Sequence, residues 1–212
     1  MSKKAKNKDK QILNAAAKHF AINGFGGARV DEIAAEAGVN KATLYYRIGD
    51  KAAIYDRIFI DMLDNVLADI SEKIALAKTA EEKFKAYAYS IANVCSSNSY
   101  ISPFILREVA SGGSHMSENA IAKMKQVRLT LAEILTLGVE LGEFKPVNPF
   151  LIHIMMIGTL NFFSASYTNR EEIPQQTKQT QATDEMSILD VADTISDLVL
   201  SSIKIKGPLN NA

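Results

Sequence analysis

Cysteine is nearly absent from this chain: Cys95 is alone among 212 residues, which rules out an intramolecular disulfide and any cluster of cysteine metal ligands. Proline is scarce as well, with Pro103, Pro146, Pro149, Pro174 and Pro208 the whole set, so little in the sequence interrupts helices. No uninterrupted apolar run reaches the roughly 18 residues of a membrane helix. The nearest, Phe150 to Phe163, is shorter and contains His153, Thr159 and Asn161. The lysine-rich start lacks the apolar stretch of a secretory signal. His19, His115 and His153 lie far apart in sequence, with no acidic or cysteine partner at ligand spacing, which removes the usual patterns of metal chemistry. Glycine-rich phosphate loops, nucleophile elbows and dinucleotide fingerprints are missing too. Cys95, beside Ser96 and Ser97, reads as a buried helix residue rather than a nucleophile. The expectation is a cytoplasmic protein with no catalytic residue, no metal, no cofactor and no membrane partner.

What is present is ordinary in bulk and uneven in detail. An apolar share of 47% against 23% charged residues suits a soluble chain long enough to bury a core. The formal net charge is zero, yet residues 1–51 carry ten Lys/Arg and five Asp/Glu, a net of +5, balanced by −5 over the remainder. A basic head on an acidic body fits a module that binds a polyanion. The same excess also fits a solubilising lysine tag, because Lys3, Lys4, Lys6, Lys8 and Lys10 supply half of the positive residues.

The patterning is helical throughout, with no sustained period-two alternation, and predicts an all-α chain of about nine helices. Residues 1–8 read as a flexible basic arm. Ile12, Ala16 and Phe20 recur at helical spacing, and Asn23-Gly24 is a helix stop. Short helices follow at Val30–Ala37, closed by Gly38, and at Lys41–Arg47, closed by Gly49. Asp50 is placed to cap a long helix over Lys51–Leu76, with Ile54, Ile58, Met62, Val66, Ile70 and Ile74 along one seam. Further helices are expected at about 80–97, 100–111, 115–141, 148–167 and 184–204. The polar stretch Asn169 to Thr183 reads as a loop.

Two short helices joined by a tight glycine turn and packed on a third form a helix-turn-helix. Ala34 is small where the two helices cross, and Ile33, Val39 and Leu44 are spaced to form the shared core. Lys41, Ala42, Tyr45 and Tyr46 are left near the exposed face of the second helix, where a major groove would lie. Either tyrosine has an alternative role as simple packing.

The residues Gly24-Phe25, then Val30-Asp31-Glu32-Ile33-Ala34-Ala35-Glu36-Ala37-Gly38-Val39-Asn40-Lys41-Ala42-Thr43-Leu44-Tyr45-Tyr46-Arg47, then Asp50-Lys51 resemble the DNA-binding domain of TetR-family (tetracycline-repressor-like) transcriptional regulators. The match runs from about Ile12 to Tyr55. The resemblance implies a helix-turn-helix domain at 1–50 and an effector-binding and dimerisation domain at 51–212. It implies Lys41, Ala42 and Tyr45 as base-facing residues and Thr43, Tyr46 and Lys51 as phosphate contacts. Four positions depart from the family pattern: Arg29 where Ser or Thr is usual, Ala42 for Gly, Arg47 for His and Ile48 for Phe. Arg29 and Arg47 are each candidates for an added phosphate contact, and Arg47 for a guanine contact. The turn Gly142-Glu143-Phe144-Lys145-Pro146 resembles the one before the family's eighth helix.

In the body, Phe150 to Phe163 is apolar nearly all round and requires burial on two sides. Ile188, Val191, Ile195, Leu198 and Ser202 form a seam for a partner helix. Two such helices from each of two chains would close a twofold four-helix interface, the dimer mode that the resemblance also implies. Ile154, Ile157, Ile188, Val191, Ile195 and Leu198 are the expected interface residues, and the alternative is an unusually dry monomer core. Phe84, Tyr87, Tyr100, Phe104, Arg107, Met124, Phe162 and Phe163 are candidates to line an effector cavity, each with plain core as the competing reading. A largely apolar small effector is expected, with an Arg107 anchor favouring a carboxylate. The expected function is that of a homodimeric repressor released from a pseudo-palindromic double-stranded DNA operator. The alternative is a helical regulator governed by a protein partner.

Overall fold

The computed structural model describes residues 3–172 and 186–205, with side chains over 7–166 and 186–205. Among the described residues it holds nine helices and no strand, apart from one isolated bridge between Phe144 and Lys204. They are α1 (Lys3–Gly27), α2 (Val30–Glu36), α3 (Lys41–Arg47), α4 (Lys51–Leu76), α5 (Ala80–Ser97), α6 (Ile101–Ala110), α7 (Glu118–Glu140), α8 (Pro149–Glu172) and α9 (Ile188–Ile203). The first three form an N-terminal helix-turn-helix head, and the rest form the helical body.

Two boundaries differ from those the sequence predicts. Residues 3–8 are helical rather than a loose arm, because α1 starts at Lys3. Lys8 has a structural task there: its Nζ donates to the carbonyls of Ala37 (3.1 Å) and Gly38 (3.2 Å), satisfying acceptors left open where α2 ends. Likewise α8 continues through Asn169 to Glu172, and the remainder of that expected loop, 173–183, lies outside the described residues.

Local chemistry explains the other ends. Gly24 takes φ 69° and breaks α1, a conformation costly for a residue with a Cβ. Asn40 accepts from the Thr43 N–H (2.7 Å) to start α3, and Asp50 accepts from the Ala53 N–H (2.8 Å) to start α4, as N-caps do. Thr79 and Ser187 form capping boxes with Glu82 and Asp190.

In the head, Ile33, Ala34 and Leu44 are buried and Val39 is half-buried against them. Along α4, Ile54, Ile58, Met62, Val66 and Ile70 are buried while Ile74 is partly so. The head joins the body through rings absent from any linear motif. Tyr55 lies edge-on to Phe20 (4.8 Å), Phe25 (5.2 Å) and Phe104 (4.7 Å), and Phe104 packs on Phe59 (4.5 Å). One cluster thus spans α1, α4 and α6.

The far end of the body is pinned by the turn after α7. The N–H groups of Glu143 and Phe144 both donate to the Gly138 carbonyl (2.8 and 3.0 Å). That drives the buried Phe144 ring onto α7, where a Cβ on Gly138 would come within 2.0 Å of it. Lys145 N–H then donates to Ile203 (2.7 Å) and Ile205 N–H to Glu143 (2.9 Å), tying the turn to the end of α9.

Helix α8 is the apolar element that needs two neighbours. Ile152, His153, Met156, Leu160 and Asn161 are buried in the body, whereas Leu151, Ile154, Met155 and Phe162 are exposed. Its segment Pro149–Ser166 has the length and mean hydropathy (1.3) of a membrane span. The buried face, however, carries His153 and Asn161 and packs on α5, α6, α7 and α9.

Candidate DNA interface and buried cavity

The outer face of α3 is built from residues that its own core leaves free. Leu44 is the buried anchor, and Lys41, Ala42, Tyr45 and Tyr46 stand outside, with Tyr46 91% exposed. Lys41 Nζ lies 5.9 Å from the centre of the Tyr45 ring, so cation and ring occupy one patch. Thr43 is half-buried at the first turn. Lys51, at the start of α4, donates to the Gly26 carbonyl (3.1 Å) and sits 5.0 Å from the Phe25 ring centre. It is thereby held against the turn between α1 and α2.

Two of the arginines singled out in the sequence are engaged within the head. Arg47 donates to Asp9 Oδ1 from Nε, with its Nη2 also 2.6 Å away, and both side chains are largely buried. Arg47 therefore fastens α3 to α1, and a guanine contact would require breaking that pair. The signal for this was an acid on α1 at position 9, visible only once the helices are packed. Arg29, just before α2, pairs at the surface with Asp31 (2.9 Å) and Glu32 (3.7 Å). Glu36 similarly joins α2 to Lys18 and His19 (2.8 and 2.9 Å).

A cavity of about 250 Å³ lies in the body. Its wall comes from α4 (Phe59, Met62, Leu63, Val66), α5 (Ile91, Val94, Cys95), α6 (Ile105, Glu108, Val109), the loop at Gly112, Gly113 and Met116, α7 (Met124, Val127) and α8 (His153, Ile157, Asn161). Of the residues predicted to line such a space, Met124 does. Phe84, Tyr87 and Phe104 are fully buried but outside the wall. Tyr87 stands one layer behind, its hydroxyl 2.8 Å from His153 Nδ1. Tyr100 borders a polar cleft between α1 and the end of α5, Phe162 is 70% exposed, and Phe163 is partly buried against the core.

Arg107 serves the head and not the cavity. It donates from Nε to the Ala21 carbonyl (2.5 Å) and from Nη2 to Ile22 (2.8 Å), covering the end of α1 where carbonyls lack partners. A carboxylate anchor at Arg107 is thereby corrected. Its neighbour Glu108, not among the residues expected to line a cavity, is the charged residue on the wall. The Glu108 carboxylate accepts from the Tyr55 hydroxyl (2.6 Å) and the His115 N–H (2.7 Å), and lies 3.2 Å from His115 Nδ1. Burial pushes its pKa up, but these hydrogen bonds outweigh it and hold the group below the usual carboxylate value. His153 is neutral, lowered to about 4 by burial and by Arg128 nearby. Burial raises the Cys95 thiol, which keeps it protonated. Among the described residues no group of three or more His, Cys, Asp or Glu is placed to hold a metal.

Of the six expected interface residues, Ile154 and Leu198 are exposed, Ile188 and Ile195 are partly buried, and Val191 is buried within its own chain. Ile157 turns inward to the cavity wall. Leu151, Met155 and Phe162 share the outer face of α8 with Ile154.

A basic, tyrosine-bearing second helix on a three-helix head defines a helix-turn-helix DNA-binding regulator. Residues 12–58 match the family model described as bacterial regulatory proteins, tetR family. Over 206 residues the chain is 25% identical to the HTH-type transcriptional regulator RutR of Escherichia coli K12, covering 93% of this chain and 91% of that protein. Two solved structures share the fold. The ketosteroid transcriptional regulator KstR2 of Mycobacterium tuberculosis has a TM-score of 0.72 at 18% identity, covering 93% of this chain and 95% of that one. The transcriptional regulator FadR of Bacillus subtilis, in complex with stearoyl-CoA, has a TM-score of 0.68 at 21% identity, covering 92% and 98%. The head therefore matches the DNA-binding domain of the TetR family, and the whole chain is similar in sequence and fold to regulators that carry it.

Proposed function

We propose that this chain is a homodimeric repressor in which residues 1–50 read a pseudo-palindromic operator and residues 51–212 dimerise and bind a small, largely apolar effector that releases the DNA. In this reading Lys41, Ala42 and Tyr45 meet base edges, and Thr43, Tyr46 and Lys51 meet phosphates. Arg29 is available to a phosphate at the cost of weak surface pairs, while Arg47 positions α3. The dimer forms through the exposed faces of α8 and α9, around Ile154, Phe162 and Leu198, and the protein acts in the cytoplasm.

The observation that carries the effector half is that cavity and head share parts. Helix α4 begins at Lys51 beside the head and supplies Phe59, Met62, Leu63 and Val66 to the wall. Helix α6 supplies Glu108 to the wall and Arg107 to the end of α1. A ligand that favours one placement of α4 and α6 must also favour one placement of the head, and the coupling is reciprocal. Selection of binding sites from random DNA tests the first half. Inverted half-sites are expected, with affinity falling steeply as salt rises. Sites without twofold symmetry, or binding insensitive to salt, would remove the dimeric operator reading.

A further inference from the structure

We propose that the cavity selects its ligand by charge, accepting an uncharged or cationic apolar compound that brings a hydrogen-bond donor to Glu108, and rejecting free carboxylates. This rests on the effector reading above and adds to it a chemical class.

Glu108 is 2% exposed and lies on the cavity wall, and neither lysine nor arginine is among the lining residues. The adjacent guanidinium of Arg107 is committed to the end of α1. A carboxylate offers about four acceptor positions. The Tyr55 hydroxyl and the His115 N–H take two, with His115 Nδ1 a further 3.2 Å contact, and neither residue lines the cavity. At least one acceptor position is left on a residue of a wall that is otherwise apolar except for His153 and Asn161. A ligand hydroxyl, amide N–H or ammonium can fill it.

A ligand carboxylate meets the opposite situation. It would lose its water in a largely apolar wall and lie near a second, ionised carboxylate with little solvent to screen the repulsion. His153 on the α8 side is neutral at pH 7 and provides no compensating charge. The size is also selective, since a dry cavity of about 150 Å³ holds one benzene ring and this one measures about 250 Å³.

Four probes of similar length separate these terms by calorimetry on the full-length protein at pH 7.5: 1-octanol, its isomer heptyl methyl ether, octylammonium and octanoate. Octanol and octylammonium are expected to bind. The ether, which lacks a donor, should bind at least fivefold more weakly than octanol, and octanoate at least tenfold more weakly. Glu108→Gln should bring octanoate within threefold of octanol. The proposal is overturned by octanoate matching octanol in the unsubstituted protein, by an ether equal to the alcohol, or by an octanoate penalty that survives Glu108→Gln. The first two comparisons need no variant, so a poorly folding Glu108→Gln leaves the proposal testable. Binding by none of the four overturns the effector reading itself. Failure of the charge order alone leaves that reading standing.

Discussion

Replacing Tyr55 by Phe removes one oxygen from the junction between head and body and nothing else. The ring keeps its contacts with Phe20, Phe25, Phe59 and Phe104, so no cavity opens beyond the volume of a hydroxyl. The lost bond joins two buried side chains 53 residues apart, at 2.6 Å, with an ionised acceptor. Hydrogen bonds to charged groups contribute roughly 1.5–3 kcal/mol, and Glu108 is only 2% exposed. The expected loss is therefore about 2 kcal/mol, or about 4–8 °C in Tm for a chain of this size. Urea denaturation at fixed protein concentration measures it without confusion from dimer dissociation. The acid limb should move as well. The folded protein holds Glu108 below its ordinary value of 4.5, so its contribution is complete above that value and fades as pH falls through the lowered one. Without the Tyr55 hydroxyl, burial acts with less opposition, the folded pKa rises, and acid destabilisation begins at higher pH. A Tyr55→Phe protein within 0.5 kcal/mol of the original, with an unmoved acid limb, would refute the assignment of this bond as a junction contact.

Gly138→Ala is expected to cost about 1–3 kcal/mol by overpacking, because the new methyl would meet the Phe144 ring at 2.0 Å; thermal unfolding compared with Gly142→Ala separates clash from backbone strain. Lys51→Ala should weaken binding to all DNA sequences alike and reduce the salt slope by about one, whereas Tyr45→Ala should change sequence preference; competition assays on selected and scrambled sites distinguish the two. Leu198→Glu, on a residue 62% exposed on α9, should leave the monomer folded and abolish the dimer, as read by sedimentation velocity and by loss of twofold site preference.

Helix positions were legible in the chain because they rest on neighbours in sequence. The α3 and α4 bounds follow from Gly38, Asn40, Gly49 and Asp50, whose backbone freedom or capping acts within three residues. The seam from Ile54 to Ile70 declares which side of α4 is buried. The start of α1 was less legible: the lysine-rich composition suggests disorder, and the stabilising contact from Lys8 reaches 29 residues ahead to α2.

Side-chain assignments within the body were poorly legible, for a related reason. An aromatic residue on a helix can equally be solid core or cavity wall, and Phe84, Tyr87 and Phe104 proved to be core while Phe59 reached the wall. Periodicity locates an apolar stripe to within about one residue position, roughly 100° of rotation. Along α8, which is apolar on nearly every side, even that limit is absent, so Ile157 and Ile154 could not be told apart.

By itself, the sequence determined an all-helical chain, the helix-turn-helix head and the family whose DNA-binding domain that head resembles. These depend on residue types at short fixed spacings, and the backbone reads those locally. Only the tertiary structure decided that Arg47 braces α3 against Asp9, that Arg107 closes the end of α1, and that Glu108 is the charged residue among those lining the cavity. Each of these depends on where a charged group finds its partner across 38 to 86 residues of chain, and a buried charge is stable only where packing brings such a partner to it.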